Sequence, residues 1–95
     1  MRLTNETISA IREEISRIDP AAEVWLFGSR VDDAARGGDI DLLLVSERID
    51  FPAEMKLRAA ILGRIGWQRI DLIIRPRNRL GDPIAEIALQ SGVRL

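Results

Sequence analysis

Three aspartates and one glycine-serine step carry the chemistry that this chain of 95 residues can offer. The segment Gly38-Asp39-Ile40-Asp41-Leu42-Leu43-Leu44 opens an apolar run with two carboxylates two positions apart. Side chains of a strand alternate between its faces, so Asp39 and Asp41 point to one side and Ile40, Leu42 and Leu44 to the other. Two carboxylates held side by side repel, and at least one pKa rises unless a cation neutralises them. Burying unpaired charge is costly, and a divalent cation converts the repulsion into coordination. The plain alternative is a solvated strand start whose aspartates cap the backbone or pair with Arg30 or Arg36. A lone Asp-x-Asp recurs by chance often enough to mean little by itself.

Asp71 interrupts a second apolar run, Gln68-Arg69-Ile70-Asp71-Leu72-Ile73-Ile74, and faces away from Ile70 and Leu72. If the two runs pair, three carboxylates converge on one sheet face, a set suited to two-metal phosphoryl transfer. The third carboxylate is then also placed to accept the proton of an attacking hydroxyl. The alternative is an ion pair from Asp71 to Arg69 or another basic residue. Upstream, Leu26-Phe27-Gly28-Ser29-Arg30 marks the end of a strand. Glycine lets backbone approach a ligand closely, and backbone N–H groups at a helix start make an anion site. The Ser29 hydroxyl can donate to a phosphate oxygen, and Arg30 or Arg36 can neutralise a leaving pyrophosphate. The same residues also describe an ordinary turn with Ser29 as a helix cap.

The elements that must position these groups follow from periodicity. Ile8, Ile11, Ile15 and Ile18 lie on one face of a helix, capped by Thr4 or Asn5 and stopped by Pro20. A strand is expected over 22–27, a short helix over 29–35, and a strand covered on both faces over 40–45. Asp50-Phe51-Pro52 starts a helix with Leu57, Ile61, Leu62 and Ile65 on its apolar side and Gly66 at its end. A third strand runs over 69–75, followed by a polar turn with Arg75, Arg77 and Arg79. Asp82-Pro83 caps a last helix with Ile84, Ile87 and Ala88 inward. Val93 and Leu95 have no evident core role and are free to dock on a partner. Trp25 reads as core and Trp67 as either a solvated residue or a partner contact. The fold expected is α+β (α/β): one domain over 1–95 with a small mixed sheet of three or more strands flanked by helices.

Composition narrows the chemistry further. The chain contains no His and no Cys, which removes imidazole bases, thiolate nucleophiles and nitrogen- or sulfur-ligated metals. Any metal is oxygen-ligated, which points to magnesium. A formal net charge of -1 gives no footprint for duplex nucleic acid. No apolar run spans a bilayer and the amino terminus is polar, so a soluble cytoplasmic protein is expected.

Taken in order, Gly28-Ser29, Asp39-Ile40-Asp41 and Asp71 resemble the motif of the polymerase-β-type nucleotidyltransferase superfamily, and most closely its stand-alone minimal members. Nine residues separate Ser29 from Asp39, which fits the gap of about ten in that motif. The resemblance implies that Gly28 and Ser29 hold a nucleoside triphosphate, beside which Arg30 and Arg36 are the candidate phosphate-binding cations, and that Asp39, Asp41 and Asp71 hold two magnesium ions. It implies a reaction in which a hydroxyl attacks the α-phosphate of ATP and pyrophosphate leaves. It further implies a helical HEPN-type or related helix-bundle partner, in a hetero-oligomer where the transferase is an antitoxin that adds AMP to a partner tyrosine. A non-catalytic subunit that neutralises its partner by binding alone is the alternative. The chain departs from the minimal members in reading Arg30-Val31-Asp32-Asp33 after the Gly-Ser step and Gly38 before the aspartate pair.

Overall fold

The computed structural model describes residues 3–28 and 39–95. Ser29, Arg30 and Arg36, and the short helix expected over 29–35, lie outside the described residues. Helix α1 runs Asn5–Ile18, with Thr4 accepting a hydrogen bond from the Thr7 N–H at 3.1 Å. Strand β1 is Glu23–Phe27 and β2 is Ile40–Val45. Helix α2, Phe51–Ile65, starts on the Asp50 side chain, which accepts from the Ala53 N–H, and ends at Gly66. Strand β3 is Ile70–Arg75, followed by a 3₁₀ turn Arg77–Arg79, helix α3 at Pro83–Ser91 and a short strand β4 at Val93–Arg94.

The four strands order as β3-β2-β1-β4. Strand β1 is antiparallel to both β2 and β4, whereas β2 and β3 are parallel. A parallel pair cannot be joined by a hairpin, and α2 supplies the crossover between its strands. The sheet is therefore mixed and the domain α+β, as expected from the order of elements.

Alternation in β2 fills two cores. Ile40, Leu42 and Leu44 pack with Ile11 and Ile15 of α1 and with Leu57 and Ile61 of α2. Leu43 and Val45 pack on the other face with Ala85 and Ala88 of α3. Burial of β2 on both sides explains why five of its six residues, all but Asp41, are apolar and buried.

Helix α3 and the carboxyl-terminal segment correct two expectations. Ala85 and Ala88 face inward, while Ile84 and Ile87 are 44% and 57% exposed. Small alanines let the helix axis approach the sheet, and rotating the helix to bury Ile84 and Ile87 would push it away. Val93 and Leu95 are not free for docking. Val93 pairs with Leu26, the Leu95 N–H donates to the Val24 carbonyl at 2.9 Å, and Leu95 packs on the larger core. Trp25 lies against the α3 core, half-buried, with the Arg94 guanidinium 5.8 Å from its ring centre. The basic turn is also structural: Arg75 pairs with Asp82 at 3.1 Å, and Arg77 pairs with Glu23.

At the sheet end remote from the aspartates, the Ser46 hydroxyl donates to Asp19 Oδ2 at 2.6 Å, and both residues are only 4% exposed. The other Asp19 oxygen accepts from the Ala21 N–H at 3.0 Å. The Ser46 bond holds the Asp19 carboxyl below its ordinary range against the opposing effect of burial. Ser46→Ala leaves that carboxylate short of a donor and is expected to cost about 1–3 kcal/mol at neutral pH. A depressed carboxyl stabilises above its unfolded pKa and loses this contribution as pH falls through the folded value. The deficit of the variant in urea unfolding should therefore shrink in acid; a deficit constant with pH would contradict the assignment.

Candidate active site

The site sits where β1 ends and β2 and β3 begin. Register pairs Phe27 with Asp41 across β1 and β2, and Asp41 with Asp71 across β2 and β3. Asp41 shares its face with Leu43 and Val45, and Asp71 shares its face with Ile73; these apolar neighbours belong to the α3-side core. Both carboxylates therefore rise from the same sheet face on neighbouring strands. Neighbouring strands lie about 4.8 Å apart, which brings the two acids into contact distance.

Their electrostatics record that contact. The Asp41 carboxyl is pushed above its ordinary range, first by burial, then by the charge of Asp71, a hydrogen bond with Asp71 and the charge of Asp39. The metal-free pair is thus a site that favours a bound positive charge.

Gly28 closes the site from the β1 side. Its φ is +78°, in the left-handed region, and a Cβ there would lie 2.3 Å from Asp41 Oδ2. Only glycine lets the backbone turn so close to that carboxylate. The Gly28 turn, Asp41 and Asp71 then follow one another across the sheet in that order.

Asp39 precedes β2 and is drawn elsewhere. Its carboxylate pairs with Arg69 Nε at 3.4 Å, with 38% of the Asp39 side chain and 73% of the Arg69 side chain exposed. Arg69 was one candidate partner for Asp71, and the fold gives it to Asp39 instead. Among the described residues no group of three acidic side chains stands arranged to hold a metal ion. The sequence did not single out Arg58, whose guanidinium donates to the Ile70 carbonyl and pairs with Glu54 at 3.6 Å. A solvent-side arginine in a helix carries no signal of its tertiary partner.

The donor chemistry fits a hard cation at the Asp41–Asp71 pair: two oxygen acids in register on neighbouring strands, whose charges oppose one another, are relieved by a divalent ion. Asp39 would join by exchanging Arg69 for the ion, and a pair this exposed costs little to open. Such an arrangement can bind and polarise a phosphate-bearing ligand on the α3 side of the sheet.

A family model described as a nucleotidyltransferase domain matches residues 8–95, nearly the whole chain. Comparison with curated proteins returned no match.

Proposed function

Because the chain belongs to the nucleotidyltransferase domain family, we propose that it is a magnesium-dependent transferase that moves AMP from ATP to a hydroxyl. The observation that carries this reading is the facing pair Asp41 and Asp71, in register on parallel strands with Gly28 pressed against Asp41. Asp41 and Asp71, joined by Asp39 once Arg69 releases it, would hold the metal. Bound there, magnesium neutralises the carboxylates and stabilises the charge that builds on the phosphate oxygens.

The remaining steps belong to the chain itself. Backbone at Gly28, with Ser29, Arg30 and Arg36 in the adjoining segment, would bind and orient the triphosphate. The acceptor oxygen bonds to the α-phosphorus, and the bond from that phosphorus to the α–β bridging oxygen breaks. Pyrophosphate leaves with the electron pair. The acceptor proton would pass to the Asp71 carboxylate.

The acceptor we propose is a tyrosine of a helical HEPN-type partner, which makes the protein an antitoxin in a cytoplasmic hetero-oligomer. Among the described residues no helix is long and apolar enough to cross a membrane. Co-purified partner incubated with Mg²⁺ and ATP labelled at the α-phosphate should gain label. At ATP about 100-fold over its Kd, the protein should gain about 2.7 kcal/mol in stability, read as a higher Tm. No thermal gain from Mg²⁺ and ATP together would rule out the nucleotide site. Full neutralisation by an Asp39→Asn/Asp41→Asn variant would favour action by binding alone.

A further inference from the structure

Three of the five large apolar side chains exposed among the described residues, Phe51, Met55 and Trp67, belong to α2 and the turn that follows it. Phe51 is 70% and Trp67 84% exposed, and none of the three packs into either core. Phe51, Met55, Arg58 and Leu62 follow one another at steps of four, three and four residues, which sets them in a single stripe along the helix. Its neighbours fix where the stripe looks. Arg58 donates to the Ile70 carbonyl, and Arg58 and Leu62 line a groove of about 460 Å³ together with Trp67 and Ile70. The stripe therefore lies on the flank of α2 above β3, the edge strand of the sheet. The opposite flank is already covered, since Arg64 pairs with Glu13 and Glu14 of α1 at 3.0 and 3.1 Å.

The strand edge beneath the stripe is closed to a further strand. The Ile40 and Ser46 N–H groups donate to the Arg69 and Arg75 carbonyls, both at 3.0 Å, so by alternation the carbonyls of Ile70, Leu72 and Ile74 point outward. Arg58 takes the Ile70 carbonyl, and the Arg75 guanidinium takes that of Ile74 at 3.0 Å. Side chains on two of three outward carbonyls block strand addition. Whatever docks on this flank does so through the apolar stripe.

We propose that this flank is a self-association surface, on which a second copy of the chain packs its α2 antiparallel to the first about a two-fold axis. The stripe is self-complementary in that arrangement. Its outer pair and its inner pair share one midpoint, so Phe51 meets Leu62 of the other copy and Met55 meets the stem of the other Arg58. Trp67, just past the Leu62 end, then closes over the incoming Phe51 ring. Charge selects the same orientation. Glu54 and Arg58 stand one turn apart, 3.6 Å from each other. Antiparallel helices bring each arginine beside the glutamate of the other copy, whereas parallel helices would set like against like. The stripe spans about 16 Å of helix, short for an interface of the standard ~800 Å² per partner, so the dimer forms in a concentration-dependent way. It does not depend on the transferase reading: Asp41 and Asp71 rise from the face that α3 covers, and the contact is made through α2.

Sedimentation equilibrium of the full chain should give a mass that rises from monomer to dimer with concentration. Phe51→Ala and Trp67→Ala should each raise the dimer Kd about 100-fold, because each removes an apolar contact twice in a symmetric interface. Ile87→Ala, exposed on α3, should leave it unchanged. The orientation is tested covalently. The chain has no cysteine, so Phe51→Cys/Leu62→Cys supplies its only two thiols. Within one chain they lie about 16 Å apart along the helix, beyond the reach of a disulfide. Mild oxidation should link two chains in this double variant but not in Phe51→Cys alone, where the thiols sit at opposite ends of the interface. Trp25→Phe leaves Trp67 as the sole tryptophan, and its emission should move to shorter wavelength as concentration rises through the Kd. A monomeric mass at about 1 mM chain, a dimer Kd unchanged by both Phe51→Ala and Trp67→Ala, or cross-linking of Phe51→Cys alone in preference to the double variant would each overturn the proposal. Trp67 emission that ignores chain concentration and shifts only when a co-purified protein is added would give the flank to that protein, and would overturn it too.

Discussion

Asp41→Asn is expected to abolish nucleotidyl transfer and, in the same protein, to raise the stability of the metal-free fold. The loss of activity follows from the place of Asp41 between Asp71 and the Gly28 turn. A metal ion on such a pair is worth several kcal/mol in the transition state. Removing a shared ligand should therefore lower kcat/KM on the order of 10³-fold. The gain in stability follows from the raised Asp41 carboxyl. Above the ordinary value of 3.8, the folded state holds a proton that the unfolded state releases. Stability contributed by that proton is present in acid and is lost as pH rises through the raised folded value. Above that value the fold carries the cost of burying the Asp41 charge and of its repulsion from Asp71 and Asp39. Asparagine has nearly the same shape and no charge, so Tm at neutral pH should rise and the gain should vanish in acid, where the carboxyl is protonated in both states. Magnesium should stabilise the unmodified protein more than the variant. A variant with lower Tm at pH 7 would show that the pair is not under electrostatic strain. Undiminished transfer would remove Asp41 from the metal site.

Gly28→Ala is expected to lower transfer about 100-fold, the typical consequence of misplacing a reacting group by about 1 Å. Two costs arise at this position. Left-handed backbone disfavours any Cβ by roughly 1–2 kcal/mol. The new methyl would also stand 2.3 Å from Asp41 Oδ2 and 3.2 Å from its Cγ, so the carboxylate must move. Gly66 separates these effects. Its φ is +86°, and a Cβ there would meet nothing within 4 Å. Gly66→Ala should lose comparable stability through backbone strain alone. The loss of transfer in Gly28→Ala beyond that in Gly66→Ala then measures the collision with Asp41. Equal activities in the two variants would mean that the tight approach of Gly28 has no bearing on the reaction.

The sheet face that carries these predictions was partly legible in the sequence. Strict alternation set Asp41 against Leu42 and Asp71 against Leu72, and a period of two admits no other assignment within a strand. Helices α1 and α2 were equally plain, because their isoleucine and leucine spacings, the Thr4 and Asp50 caps, Pro52 and Gly66 all act within a few residues of one another. Helix α3 was not. Its alanines and isoleucines both fit a helical stripe, and only the close sheet beneath it selects Ala85 and Ala88 over Ile84 and Ile87. Val93 and Leu95 likewise looked unattached because the edge of β1 that receives them lies far away in sequence.

By itself, then, the sequence determined which side chains could share a face, where the helices begin and end, and that any metal must be held by oxygen. Tertiary structure alone decided that β2 and β3 run parallel in the register that sets Asp41 beside Asp71, that Arg69 takes Asp39, and that Trp67 stands open at the edge of β3. The reason is range. Caps and periodicity are properties of neighbouring residues, whereas register and ion-pair choice depend on how a whole helix crosses the sheet and leaves its charged groups in reach of one another.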